Sequence, residues 1–572
     1  MTKFYPLLFA CLALTTLTGC IDDKYDLSDI DTNIQVNVRD LTLPINLDPI
    51  NLKSIIDTDG SDITLSSDGT FVIEKTGNIT SSAININPIS LNAPMIQPSR
   101  RTLDCTHVPQ ALAIAGKAEI PLSCPPTHFD YHVANVSEDV VSIQSIKTRF
   151  SIDIKFSIDD LNGIVKSIKF SNLQLQLPKG LTVDPSTSDG VYNPSTGVLT
   201  VSDIISNGTA LTIHIAVTAV DKTSGFIFKN NALTFSDDLY IISGTAGITN
   251  ADLSVPASQF PSSVTFTTDY DLSEIDIISF TGEVQHDIDR FEIPEVNLSS
   301  IPKALSQSGT DIHLVNPQIY LSFNNPVSKY GAGLEAGLEI IPYHGDTPGT
   351  PITLPAGSIS VSPDTEVATF CLSPTKPDSY ISEFEDAQYI QFKDLGDVVA
   401  GDGIPTSLKV SVISPRLPLH KVSDFPIGSD ISGVNGRYDF YTDLDLSSGS
   451  TVHYYELIDG WASEDLDKVT ITQLHVTANV TTDTPLDIDL TGHPIDRDGK
   501  RIGDVSIKGA QIPANASNYP VDIYITGAVT NLDGIVFDAM VKASSDITLT
   551  DKIKISLANI RATVSGHYDD EL

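Results

Sequence analysis

Phe150, Ile152, Ile154, Phe156 and Ile158 alternate with serine, aspartate and lysine. A strand turns successive side chains to opposite faces, so this period of two places five apolar groups on one face and polar groups on the other. The same period recurs at Leu173, Leu175 and Leu177, at Leu211, Ile213, Ile215 and Val217, at Leu486, Ile488 and Leu490, and at Ile553, Ile555 and Leu557. Asp59-Gly60, Asp68-Gly69, Asp189-Gly190, Asp498-Gly499 and Asp533-Gly534 punctuate the runs with the residues that tight hairpin turns need. No βαβ alternation accompanies them, which argues against a parallel doubly wound sheet. The pattern predicts an all-β chain of tandem antiparallel β-sandwich-like domains whose sheets keep one solvated face.

Composition narrows the partners. At 41% hydrophobic and 19% charged, the 572 residues are too apolar and too weakly charged to stay unfolded, and they suffice for several cores. Lys plus Arg number 34 against 73 Asp plus Glu, a formal charge of −39. Nucleic acid needs clustered cations to displace its counterions, so it is excluded as a partner, and basic-patch attachment to anionic lipid is excluded for the same reason.

The chain contains a repeat. Tyr25-Asp26-Leu27-Ser28-Asp29-Ile30-Asp31 returns as Tyr270-Asp271-Leu272-Ser273-Glu274-Ile275-Asp276, identical at six of seven positions. The match continues from Ile34-Gln35 to Val284-Gln285, from Val38 to Ile288, from Leu43-Pro44 to Ile293-Pro294 and from Asn46-Leu47 to Asn297-Leu298. Two homologous β-rich halves are therefore expected, residues 25–268 and residues 270–572. The second carries an insertion, with Tyr343 to Pro363 and Lys376 to Gly403 as its candidate carriers.

The N-terminus reads as an export signal. Lys3 supplies a positive start, and Phe4 to Leu17 is an apolar stretch too short to span a bilayer. It ends in Leu17-Thr18-Gly19-Cys20, which resembles a bacterial lipobox. The resemblance implies cleavage of residues 1–19 as a lipoprotein signal peptide and acylation, with palmitate or a similar chain, of the Cys20 thiol. Residues 20–31 then form a lipidated cysteine and tether in which five of the eleven residues from Ile21 to Asp31 are aspartates. This is similar to the acidic tether of Bacteroidetes-type surface lipoproteins, a poorly characterised β-rich group. That likeness implies a cell outer membrane location, lipid-anchored and facing the exterior.

Once Cys11 leaves with the signal and Cys20 carries lipid, Cys105, Cys124 and Cys371 remain. A Cys105–Cys124 disulfide is expected in an oxidising envelope, and Cys371 is expected to be a buried free thiol. His107, His128 and His132 surround the first pair, but Phe129-Asp130-Tyr131 reads as strand, and no metal is assigned. The Asp/Gly clusters at Asp57 to Asp62 and Asp496 to Gly499 lack the ligand series of a calcium loop and read as hairpin turns.

No His-Glu-x-x-His, Gly-x-Ser-x-Gly or phosphate-loop motif occurs, so no catalytic residue, cofactor or enzymatic activity is assigned. Sugars are held on aromatic faces, and Trp461, the chain's one tryptophan, follows Tyr454 and Tyr455 closely enough to suggest a ligand platform. The expected function is that of a lipid-anchored envelope binding or adhesion protein, its partners the membrane through its lipid and an extracellular glycan or protein. Two alternatives stay open. One is a glycan-capture accessory lipoprotein. The other is a fimbrillin-like structural subunit, in which Ile553 to Val564 would be a donated strand and Arg100-Arg101 a processing site.

Overall fold

The structure, a computed structural model, describes residues 33–43, 50–56, 58–59, 61–104, 119–159, 163–206, 208–252, 254, 256–259, 261–302, 305–461, 469–503 and 505–571. The chain is all-β, built of several antiparallel sheets, with one four-residue α-helix, Leu52–Ile55, among the described residues. The signal, Cys20 and the acidic tether lie outside those residues.

The alternation sets the strands as expected. Val140–Asp159 runs for 20 residues, and Phe150, Ile152, Ile154, Phe156 and Ile158 are all at most 5% exposed. Ala210–Asp221 pairs with it so that Ile213 meets Ile154 and Ile215 meets Ile152, one apolar face continuing across the ladder. Each such side chain contributes about 1.5–3 kcal/mol on leaving water.

Among the described residues, one compact unit gathers those of 33–43, 454–541 and 555–571, and the other those of 50–453 and 542–554. The boundary near residue 269 is crossed by hydrogen bonds. Val140–Asp159 pairs with both Ser263–Leu272 and Ile275–Asp287, and Ile275–Asp287 pairs in turn with Ser407–Pro426. Long strands that serve two neighbours tie the first half's sheet to the second half's. The two copies of the head repeat nonetheless share a local irregularity. The strand Asn33–Leu43 is bulged between Val38 and Leu41, with Asp40 at a φ of 52°, and the equivalent stretch breaks between Asp287 and Phe291.

The first unit is a sandwich. One sheet runs in the order Asn33–Leu43, Lys554–Glu571, Val469–Thr482, Tyr519–Val529 and Ser506–Lys508. The other runs Thr451–Ile458, Gly534–Ala543, Leu486–Ile495 and Ala510–Ile512. Leu474, Val476, Ile488, Ile523, Ile535 and Trp461 close the core between them.

The larger unit holds a six-stranded sheet with one apolar and one acidic face. Its strands are β1 (Ile63–Leu65), β2 (Phe71–Thr80), β3 (Gln318–Asn324), β4 (Val367–Ser373), β5 (Gln388–Gln391) and β6 (Asn435–Asp443), arranged β5-β4-β3-β6-β2-β1. All pairs are antiparallel except β4 with β5. One face packs inward: Ile79, Leu321 and Phe323 approach Ile293, Leu338 and Val412 of the neighbouring sheet around a narrow apolar cleft. The Tyr438 hydroxyl donates to the Pro294 carbonyl at 3.2 Å across that seam. Gly77 opposite permits this, because a Cβ there would collide with the Tyr438 ring.

Candidate acidic groove

β6 reads Asn-Gly-Arg-Tyr-Asp-Phe-Tyr-Thr-Asp, and its alternation decides which side chains face outward. Tyr438, Phe440 and Thr442 turn into the core, each at most 5% exposed, so Arg437, Asp439, Tyr441 and Asp443 share the opposite face. Buried Leu444 keeps the alternation going, which adds Asp445 to that face. The register brings in the neighbours. Tyr320 of β3 and Thr76 of β2 stand opposite Asp439, and Gln318 and Glu74 stand opposite Tyr441.

The segment between β4 and β5 folds over part of this outer face. Phe384 and Ala387 pack on Tyr320 and Cys371 as a second small core, with Tyr380, Ile381 and Tyr441 at its margin. Tyr320 meets Phe384 at 5.0 Å between ring centroids and Tyr380 at 6.2 Å edge-on. The segment lies within Lys376 to Gly403, one of the two stretches identified as candidate insertions.

What remains uncovered is a groove along β6. It comprises three hollows that share walls and enclose about 930, 920 and 700 Å³, open solvent included. Glu74, Glu383, Asp439 and Arg437 line one end. Asp378, Tyr380, Tyr441 and Asp443 line the middle, and Asp68, Asp445 and Thr548 the far end. Seven carboxylates thus face one guanidinium.

The electrostatics are uneven along it. Asp439 is 4% exposed; its Oδ2 lies 3.7 Å from Arg437 Nη2, while its Oδ1 has no hydrogen-bond partner. Burial raises its pKa above its usual value, with the Arg437 charge opposing and the Glu383 and Glu74 charges adding to the rise. Burial also raises Asp443, although Tyr441 donates to its Oδ1 at 3.1 Å. The Tyr441 hydroxyl is pushed up to about 12 by burial and by that carboxylate. Buried Asp445 Oδ1 likewise has no partner. Asp68 behaves oppositely: the Ser66 hydroxyl and the Thr70 amide donate to it and hold its pKa at about 2. Arg437 lies over the Phe384 ring at 4.8 Å and pairs with Glu383, so the one cation is held at the end of the groove.

The residues singled out from sequence fall elsewhere. Trp461 is 4% exposed within the core of the first unit, and its amide donates to the Asp533 carbonyl at 2.7 Å. It is packing, not a platform. Tyr454 is half-buried and donates to Glu456, whereas Tyr455, one residue on in the same strand, is 41% exposed and points to the opposite face. The three rings make no common surface because strand alternation and core burial separate them.

Cys124 is a buried free thiol hydrogen-bonded to Ser99 Oγ at 3.1 Å; Cys105 lies outside the described residues, as does His107. Cys371 is buried and free, its thiol raised by burial. His128 and His132 sit four residues apart on the strand Thr127–Val133, about 13 Å along it, too far to share an ion. Among the described residues no group of three or more His, Cys, Asp or Glu converges to hold a metal. Asp496 caps a hairpin, accepting from the Asp498 and Lys500 amides at 3.0 and 2.9 Å, as a turn aspartate does. Asp57 lies outside the described residues, and Asp62 pairs with Lys75.

The donated-strand candidate Ile553 to Val564 falls almost wholly in the strand Lys554–Glu571, which pairs with Val469–Thr482 from Ile555 on and with Asn33–Leu43 from Ala562 on, and Arg100-Arg101 lies inside the strand Ser99–Asp104 paired to Ser263–Leu272. Neither is a loose end or an open loop. No helix among the described residues is long and apolar enough to cross a membrane.

No known protein family matches the sequence, and no curated protein matches it. Among solved structures the chain is similar to a protein of Parabacteroides distasonis ATCC 8503 described as "a putative secreted protein". The two are 13% identical, over 50% of this chain and 89% of that one, with a TM-score of 0.33, too slight a likeness to transfer a fold or a function.

Proposed function

We propose that this chain is a lipid-anchored envelope binding protein, without catalytic activity, that takes its ligand in the groove along β6. The observation that carries the reading is the outer face of that sheet. Such a face is normally just solvated, but here an added segment walls it and leaves acidic side chains and tyrosines lining an open trough. Asp439 is the clearest sign of a site, since a nearly buried carboxylate with an unpaired oxygen costs stability that packing alone would remove. The lipobox-like Leu17-Thr18-Gly19-Cys20 and the acidic tether support the anchor and its outward direction.

Two measurements test this. Intact cells are treated with protease and blotted, with and without Cys20→Ala. Digestion of the wild type, together with loss of membrane attachment in the variant, is the expected result; full protection on intact cells sinks the surface reading. Ligand screening then compares the wild type with a variant in which Asp443 and Asp445 are asparagine. Ligands that bind both alike place the site elsewhere.

A further inference from the structure

We infer that the ligand of this groove is a linear polycation: an extended chain carrying ammonium or guanidinium groups at intervals. The inference rests on the groove being the binding site and names what it takes.

Spacing is the first argument. Outward residues of β6 follow one another at about 6.6 Å, so the line from Arg437 to Asp445 extends over about 26 Å. Carboxylates occur along its whole length, yet no three of them converge to coordinate one ion. Negative charge that is spread at strand spacing is matched by positive charge spread along an extended ligand, not by a single bare cation, which needs several oxygens within about 2.6 Å.

Hydrogen-bonding chemistry is the second argument. An ionised carboxylate only accepts, and an ammonium or guanidinium only donates. Sugar hydroxyls do both, so a site built for them balances donors with acceptors. Hydroxyl and amide groups that do both also line this groove, but among its charged groups seven accept and one donates, and that one guanidinium is already engaged by Glu383 and Phe384. Two of its buried carboxylate oxygens, Asp439 Oδ1 and Asp445 Oδ1, have no donor at all. The burial that raises Asp439 and Asp443 strips water from their charged forms, a cost that an added cation would offset. Tyr380 and Tyr441 in the middle of the trough fit the same ligand, because an aromatic face attracts a cation and packs on the methylenes between charges.

The net charge of −39 would draw any polycation loosely, so the test must separate the groove from the surface. Residues 20–572 carrying Cys20→Ala are titrated calorimetrically with spermidine, with tetralysine and with the neutral sugar maltohexaose, at low and at physiological salt. The expected result is one-to-one binding of a polycation that survives physiological salt. It should weaken at least tenfold in Asp443→Asn/Asp445→Asn and in the exposed-residue variant Glu74→Gln, and be unchanged in Asp346→Asn outside the groove. Tighter binding of tetralysine identifies a basic peptide strand; tighter binding of spermidine identifies a free polyamine. Urea midpoints of the variants show that lost binding is not lost folding. Polycation binding that is equal in all variants, or abolished at physiological salt, is diffuse attraction and overturns the inference. Maltohexaose binding that the groove variants abolish, without polycation binding, overturns the inference while keeping the groove. Binding of none of the three overturns the inference, and a broader screen that finds only ligands indifferent to the groove variants overturns the binding reading as well.

Discussion

Trp461→Ala separates the sequence reading from the structural one. The side chain is 4% exposed and contacts the core formed by Ile471, Leu474, Ile535 and their neighbours. A buried aromatic ring removes about 150–250 Å² from water, which at about 25 cal/mol per Å² is about 4–6 kcal/mol, an upper figure because the unfolded chain already hides some surface. Truncation to alanine of such a ring costs about 3–5 kcal/mol once the surrounding core relaxes. In a unit of about 155 residues that lowers the melting temperature by about 6–20 °C. Hydrogen exchange followed by mass spectrometry locates the loss. Protection should fall in Val469–Thr482 and Tyr519–Val529 and hold in Phe71–Thr80 and Asn435–Asp443, which belong to the other unit. Polycation affinity should not change. A stability loss under about 1 kcal/mol together with weakened ligand binding would refute the reasoning and restore Trp461 as a platform.

Three further outcomes are expected. Because burial raises the folded-state pKa of Asp439 above its ordinary 3.8, the folded chain holds the extra proton in that window. Stability therefore falls as pH rises through it, and the penalty is fully present above the folded value. Asp439→Asn should flatten that decline, its urea midpoint rising relative to wild type at pH 7.5 more than at pH 4; a parallel shift at both pH values would count against it. Tyr131→Phe removes a hydroxyl that donates to the Ser273 carbonyl at 2.7 Å from a fully buried ring, and should cost about 1–3 kcal/mol in denaturant titrations. The Cys371 thiol, buried and raised in pKa, should resist thiol reagents in the native chain and react only after denaturation; labelling within seconds of mixing at neutral pH would contradict its place beneath Phe384.

The strands were legible because alternation is local: the burial of Phe150 to Ile158 follows from that segment alone. Trp461 was not, because its burial depends on Ile535 and Leu474, distant in the chain, and a lone tryptophan beside a turn looks the same whether packed or displayed. The division into units was hidden for a related reason. Similarity between residues 25–31 and 270–276 bears on ancestry, whereas strand pairing follows hydrogen bonds, which join residues on either side of residue 269. Part of the groove was within reach. Arg437, Asp439, Tyr441, Asp443 and Asp445 occupy every second position of one run, polar and aromatic groups alternating with buried partners, a signal that singles out the outward face. What no single run could show is that Thr76 and Tyr320 flank Asp439, since each comes from a strand far away in the chain.

The pairing of Asn33–Leu43 with Lys554–Glu571 bears on synthesis as much as on stability. Asp40 and Ser565, which hydrogen-bond at this ladder, are 525 residues apart in the chain. A strand made early in synthesis must therefore wait, unpaired, until nearly everything after it has followed. Residues 50–453, contiguous within the larger unit, can collapse during that wait, while the smaller sandwich closes last and slowly, against a large loop-closure entropy. A chain cut short before residue 554 would carry the lipobox-like cysteine yet leave Asn33–Leu43 exposed as an open edge, the kind of surface that proteases and chaperones recognise. Completion of that one ladder thus requires that translation has run past residue 554.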